Sequence, residues 1–152
     1  MTQWLIRHWV ATALCMACLL LLLTPVFAAS FSLGMLLLSI QLPIYMLHQV
    51  EEHTSDRFRI FVNTVLFGGA EALTPLAVLW INLPGVWGVN IASLYAACFI
   101  GIGWGLSAPY LALVNAPFHV AASIAFRRYN PGLWTSLALF MPLGALAVYE
   151  VN

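Results

Sequence analysis

The chain has 152 residues, of which 63% are hydrophobic and 7% charged, with a formal net charge of zero. A soluble domain carries about 25% charged and about 45–50% apolar residues, so a bilayer must act as solvent for much of this surface. The basic residues are five arginines and no lysine, which leaves no basic patch to grip nucleic acid.

Five apolar blocks follow in chain order. The first runs from about Trp4 to Ala28. Within it Arg7 and His8 precede an apolar run from Trp9 that ends in Val26-Phe27-Ala28, as at a signal-peptide cleavage site. That run of about 20 residues is enough to cross a bilayer, and an uncleaved first transmembrane helix is expected. Within it Cys15 and Cys18 form a C-x-x-C. In a leucine-rich span these read as small packing residues facing lipid or neighbouring helices, and Cys98 reads likewise.

The second block runs from about Phe31 to His53, the third from about Phe58 to Leu83-Pro84-Gly85, the fourth from about Trp87 to Phe126, and the last from about Leu133 to Val148. The fourth is long for one span. Gly101, Gly103, Gly105, Pro109 and Pro117 mark breaks in it, giving either six spans or five net crossings with a half-helix. Arginine placement favours five. With a cytoplasmic N-terminus, five crossings put Arg7, Arg57, Arg59, Arg127 and Arg128 all on the cytoplasmic side. Trp4, Trp80, Trp87, Tyr129 and Tyr149 lie near block ends, as interfacial anchors do. The expectation is an all-α polytopic transmembrane bundle of five to six segments, a single domain over residues 1–152, integral to the plasma (inner) membrane.

Chemistry concentrates at the end of the second block, in His48-Gln49-Val50-Glu51-Glu52-His53. On a helix His48, Glu51 and Glu52 stand at i, i+3 and i+4 and share a face. An imidazole and two carboxylates suit a divalent cation such as zinc or iron. Without a metal they would exchange protons. His53 lies about 140° around the helix from His48 and joins the site only if the helix ends first. The plain alternative is a solvated helix end at the headgroups, but His48 lies a further turn inside the apolar block.

His119 lies eight residues before Arg127, and His48 nine before Arg57. At about 1.5 Å per residue the two reach a similar depth if five crossings hold. The plain reading of His119 is a histidine bonded to a neighbouring backbone. Glu71, after Gly68-Gly69, is expected near the middle of the third block, where a carboxylate must be protonated, paired or beside a polar cavity. Asn115 reads as an interhelical hydrogen-bonding residue. Tyr129-Asn130-Pro131-Gly132 reads as a type II bend, with Pro second and Gly third.

His48-x-x-Glu51-Glu52, His119 and Tyr129-x-Pro131-Gly132 in this order resemble the HXXEE-domain family of integral membrane proteins, from about residue 35 to the C-terminus. The resemblance implies a membrane location and importance for His48, Glu51, Glu52 and His119, and supplies no substrate. The zinc-protease string H-x-x-E-H and the di-iron string E-x-x-H both differ from this motif.

The leading expectation is a metal-dependent membrane hydrolase or oxidoreductase. His48, Glu52 and His119 would bind the ion and Glu51 would act as general base, on a lipid-like substrate drawn from the surrounding bilayer. The alternatives are a proton-coupled transporter with Glu51, Glu52 and Glu71 along its path, and a non-catalytic accessory protein.

Overall fold

The computed structural model describes residues 2–152. It contains five helices long and apolar enough to cross a membrane: α1 (Thr2–Ala28), α2 (Leu33–Leu66), α3 (Pro75–Phe99), α4 (Ile102–Phe126) and α5 (Leu133–Val151). No strand occurs among the described residues. Successive helices run antiparallel: the end of α5 packs on the start of α2, and the first half of α1 packs on the start of α3. All five arginines therefore lie toward one end of the bundle, as the five-crossing reading expects.

α2 is the central helix. Over its most apolar stretch 56% of the residues are buried, against 11% for α1. Lipid is as apolar as leucine, so helices in a membrane gain little from hiding apolar surface and associate through close packing instead. The contacts fit that rule. Ala13, Ala17, Ala112, Ala116 and Ala147 are at most 1% exposed, and their small side chains let neighbouring backbones approach. Ala13 and Ala17 of α1 receive Met46 of α2. Ile44 and Tyr45 of α2 pack with Val86, Ala112, Ala116 and Phe140, which joins the four later helices. Cys15, Cys18 and Cys98 are free and exposed on the helix surfaces.

The helix boundaries differ from the apolar blocks at three places, each for a backbone reason. α2 is interrupted rather than ended at Thr54–Asp56: Ser55 and Asp56 have φ of 58° and 60°, after which Arg57 starts a new helical stretch. Left-handed geometry costs a non-glycine residue roughly 1–2 kcal/mol. Local bonds offset it, with Arg57 Nε donating to the Thr54 carbonyl at 2.9 Å and Arg59 Nε to Asp56 at 2.6 Å. α2 ends instead after Leu66, where Gly68 and Gly69 turn the chain with φ of 60° and 97°.

α3 starts at Pro75, where Thr74 caps the helix by accepting from the Ala77 N–H at 3.1 Å. It continues through Pro84, because residues Ile81–Trp87 form a wider π-helical stretch that accommodates the missing N–H and the ring. The expected boundary at Pro84-Gly85 does not exist. Trp87 is accordingly inside α3 and not an anchor at its end. The real break comes at residues 100–101. Pro109 sits in the first turns of the helical stretch from Ser107, and Pro117 is carried within it. The helices long and apolar enough to cross a membrane thus number five among the described residues.

Candidate functional site: a buried histidine–carboxylate cluster

The site forms where α2, α4 and the start of α5 meet. His48 and Glu52 are one turn apart on α2, and His119 faces them from α4. His48 is 0% exposed, His119 2% and Glu52 6%. Glu52 Oε1 lies 3.4 Å from His48 Nε2 and 3.2 Å from His119 Nε2. One ligand atom from each of the three residues falls within a mutual 4.8 Å.

Neighbouring polar groups hold the ring nitrogens of the cluster. His48 Nδ1 is 2.8 Å from Thr135 Oγ1. That hydroxyl's hydrogen goes to Glu51 Oε2, with the Gly132 carbonyl at 3.3 Å as its other acceptor. The imidazole then donates from Nδ1, and its Nε2 faces Glu52. His119 repeats the pattern: Nδ1 lies 3.3 Å from Asn130 Oδ1, and Nε2 faces Glu52. The Asn115 amide lies 3.1 Å from His48 Nε2 and 3.4 Å from His119 Nε2.

His53, the last residue of this α-helical stretch, lies on the other side of the carboxylate. Its Nε2 is 3.4 Å from Glu52 Oε2. A second amide chain sets its tautomer. The Trp87 indole, which can only donate, bonds Gln49 Oε1 at 2.7 Å. Gln49 Nε2 then donates to Asn82 Oδ1 at 2.8 Å. Asn82 Nδ2 is left to donate to the Val78 carbonyl at 2.8 Å and toward His53 Nε2 at 3.2 Å. The Nε2 atoms of three imidazoles thus surround one buried carboxylate. The donor set of two imidazoles and one carboxylate from His48, His119 and Glu52 fits a divalent cation.

Glu51 is elsewhere. Its two oxygens accept from Tyr129 Oη at 2.6 Å, the Trp134 N–H at 3.1 Å, the Thr135 N–H at 2.7 Å and the Thr135 hydroxyl. The carboxylate caps the first turn of α5, where unpaired N–H groups and the helix dipole favour an anion. Glu51, expected as a general base, has its oxygens bonded by these four donors and reaches His48 through Thr135. Tyr129, expected as an interfacial anchor, is the first of those donors. Burial and its bond to Glu51 push the phenol up to about 12.

Glu71 is also displaced from its expected depth. It lies in the connection from α2 to α3 with its side chain 61% exposed, paired with Arg59 at 3.2 Å. The cause is that α2 runs to Leu66 and α3 begins only at Pro75, so no single span covers residues 58–85.

The bend is present, with Leu133 N–H donating to the Asn130 carbonyl at 3.0 Å and Gly132 at φ 100°. Gly132 does more than turn. A Cβ there would fall 2.6 Å from His119 Cε1 and 2.8 Å from His48 Cε1. The glycine lets the bend press against both rings. Thr135, Asn130, Gln49, Asn82 and the Trp87 indole all support the cluster and carried no signal in the linear sequence beyond being polar groups in apolar blocks. A small cavity of about 120 Å³, lined by Glu52, His53, Asn82 and Asn115 among others, lies beside the cluster.

Helix lengths, apolarity and a buried histidine–carboxylate group together fit a helical membrane protein. Residues 39–147 match the family described as "Protein of unknown function with HXXEE motif", and the chain belongs to that family. His48-Gln49-Val50-Glu51-Glu52 is its H-x-x-E-E string. No curated protein and no solved structure matches the chain.

Proposed function

We propose that this chain is a membrane-embedded metalloprotein in which His48, Glu52 and His119 hold one divalent cation, zinc or iron, and act on a lipid or other membrane-soluble substrate. The observation that carries the reading is the shape of the donor set. Ligands about 2.0–2.2 Å from a tetrahedral ion stand about 3.4 Å from one another. The two edges from Glu52 Oε1 measure 3.4 and 3.2 Å. A proton can bridge only one pair of these atoms, whereas a cation satisfies all three.

Asn115 stands where a fourth ligand would. Turning its amide over would offer Oδ1 to the ion, and moving it aside would open that position to water or substrate. The ion would act as a Lewis acid in hydrolysis, or as the redox centre in oxidation. His53 takes the proton-transfer role first expected of Glu51, since it lines the small cavity beside Glu52. Glu51 and Thr135 become positioning residues that hold His48 by its Nδ1–H, as carboxylates behind metal-bound histidines do. The transporter reading loses support, because Glu71 is exposed and Glu51 is fully bonded. By the excess of arginine at one end, that end would face the cytoplasm.

The test is elemental mass spectrometry on protein purified in mild detergent. The expected result is about one equivalent of zinc or iron, lost in His48→Ala, His119→Ala and Glu52→Gln that keep their helical circular dichroism. A well-folded protein that takes up no metal when supplied with zinc and ferrous iron overturns the reading.

A further inference from the structure

Beyond the cluster, a cavity of about 590 Å³ lies in a groove between α1, α2 and the start of α3. Its polar and apolar parts are separated along the bundle. Arg7, Ser55 and Asp56 line it at the arginine-bearing end, and Val10, Leu14 and Val50 line it deeper. Arg7 and Leu14 are seven residues apart, or about 10 Å along the helix. Cavities of roughly 300–1,000 Å³ with apolar walls and a few polar groups are the usual form of small-ligand sites.

The charges at the polar end are unequal. Asp56 is already bonded by Arg59. Arg7 has no ion-pair partner among the described residues. One cation is left to meet one anion. Two consecutive left-handed non-glycine residues, Ser55 and Asp56, shape the rim, and strain of this kind gathers at ligand sites. His53 lines this groove as well as the small cavity beside Glu52. It is 7% exposed, and its Nδ1 has no hydrogen-bond partner.

We infer that the groove binds a single-chain amphiphile with a monoanionic carboxylate head, of the long-chain fatty-acid type, its head at Arg7 and its chain along Val10 and Leu14. This orientation is the one such a molecule already has in the leaflet at the arginine-bearing end. The head then lies against the His53 ring, whose far side faces Glu52, so the groove delivers the polar end of the ligand and not its tail to the cluster. Binding itself does not depend on a metal; only the consequence for the ligand's head rests on the function proposed above.

The test uses the full chain in phosphatidylcholine nanodiscs and a hexadecanoic acid carrying a diazirine on its chain, with the crosslinked residues mapped by mass spectrometry. Labelling should concentrate on Val10, Leu14 and Val50. Ala11→Trp places bulk on an exposed groove wall and should reduce labelling at least tenfold. Arg7→Gln should weaken it severalfold. Both should leave metal content unchanged, and His48→Ala should label like the native chain even if the metal is lost. Label spread evenly over the lipid-facing helices overturns the inference. So does labelling insensitive to both groove variants, or labelling abolished by added phosphatidylcholine.

Discussion

At the scale of single residues, one glycine decides whether the two histidines can meet. Gly132 has a φ of 100° and no room for a Cβ beside His48 and His119. Gly132→Ala must either strain the bend or push the rings apart. The expected cost is roughly 2–4 kcal/mol of stability, read as a lower melting temperature, together with weaker metal uptake. Thr135→Val removes the hydroxyl that accepts from His48 and donates to Glu51. By analogy with other residues behind metal ligands, metal affinity should fall about 10–100-fold with the fold retained; unchanged affinity would show that Thr135 does not hold the ring. Tyr129 gives a pH dependence. Its phenol is raised in the folded chain, so the folded state keeps a proton that the unfolded state loses first. The stability it contributes is complete below about 10, the ordinary tyrosine value, and is lost as pH rises toward about 12. Tyr129→Phe should flatten the alkaline fall in melting temperature over that window; an identical fall in the variant would contradict the assignment.

At the scale of helices, the sequence was legible where apolarity ends at charged or glycine-rich turns, and illegible where a breaker is absorbed. The first and last spans, and the bend at Asn130–Leu133, lie where composition puts them. Pro84 misleads because a π-helical stretch carries it, and the choice between kink and continuation depends on neighbours that a linear pattern does not contain. Glu71 misleads for the converse reason: apolar residues on both sides of Gly68-Gly69 resemble one span, but two left-handed glycines stop the helix. His53 is the last residue before the interruption at Thr54–Asp56, a break that linear composition does not show. The donor chain from Trp87 through Gln49 and Asn82 to His53 crosses helices and has no sequence periodicity. Trp87→Phe should leave Gln49 without its donor and cost about 1–3 kcal/mol; thermal unfolding checks it, and no change would mean the chain of amides is not set by the indole.

At the scale of the whole molecule, five antiparallel helices bring every arginine to one end while the cluster lies inward of it. The shared depth of His48 and His119, inferred from their similar distances to the arginines, becomes contact only because two helices, α3 and α4, separate Arg57 from Arg127, and an even number returns the chain to the same end. Cysteine accessibility tests this arrangement. In a chain without its native cysteines, Gly69→Cys and Arg128→Cys, both at exposed positions, should react with an impermeant maleimide from the same side, and Ser30→Cys from the opposite side. Reaction of Gly69→Cys and Arg128→Cys from opposite sides would break the five-helix account. The most direct test of the central claim is X-ray absorption at the edge of the metal found in the purified protein. The account predicts two imidazole nitrogens at about 2.0–2.1 Å with oxygen completing the shell, one imidazole fewer in His119→Ala, and an unchanged first shell in Glu51→Gln. A spectrum without imidazole scattering, or one that His119→Ala does not alter, would contradict it.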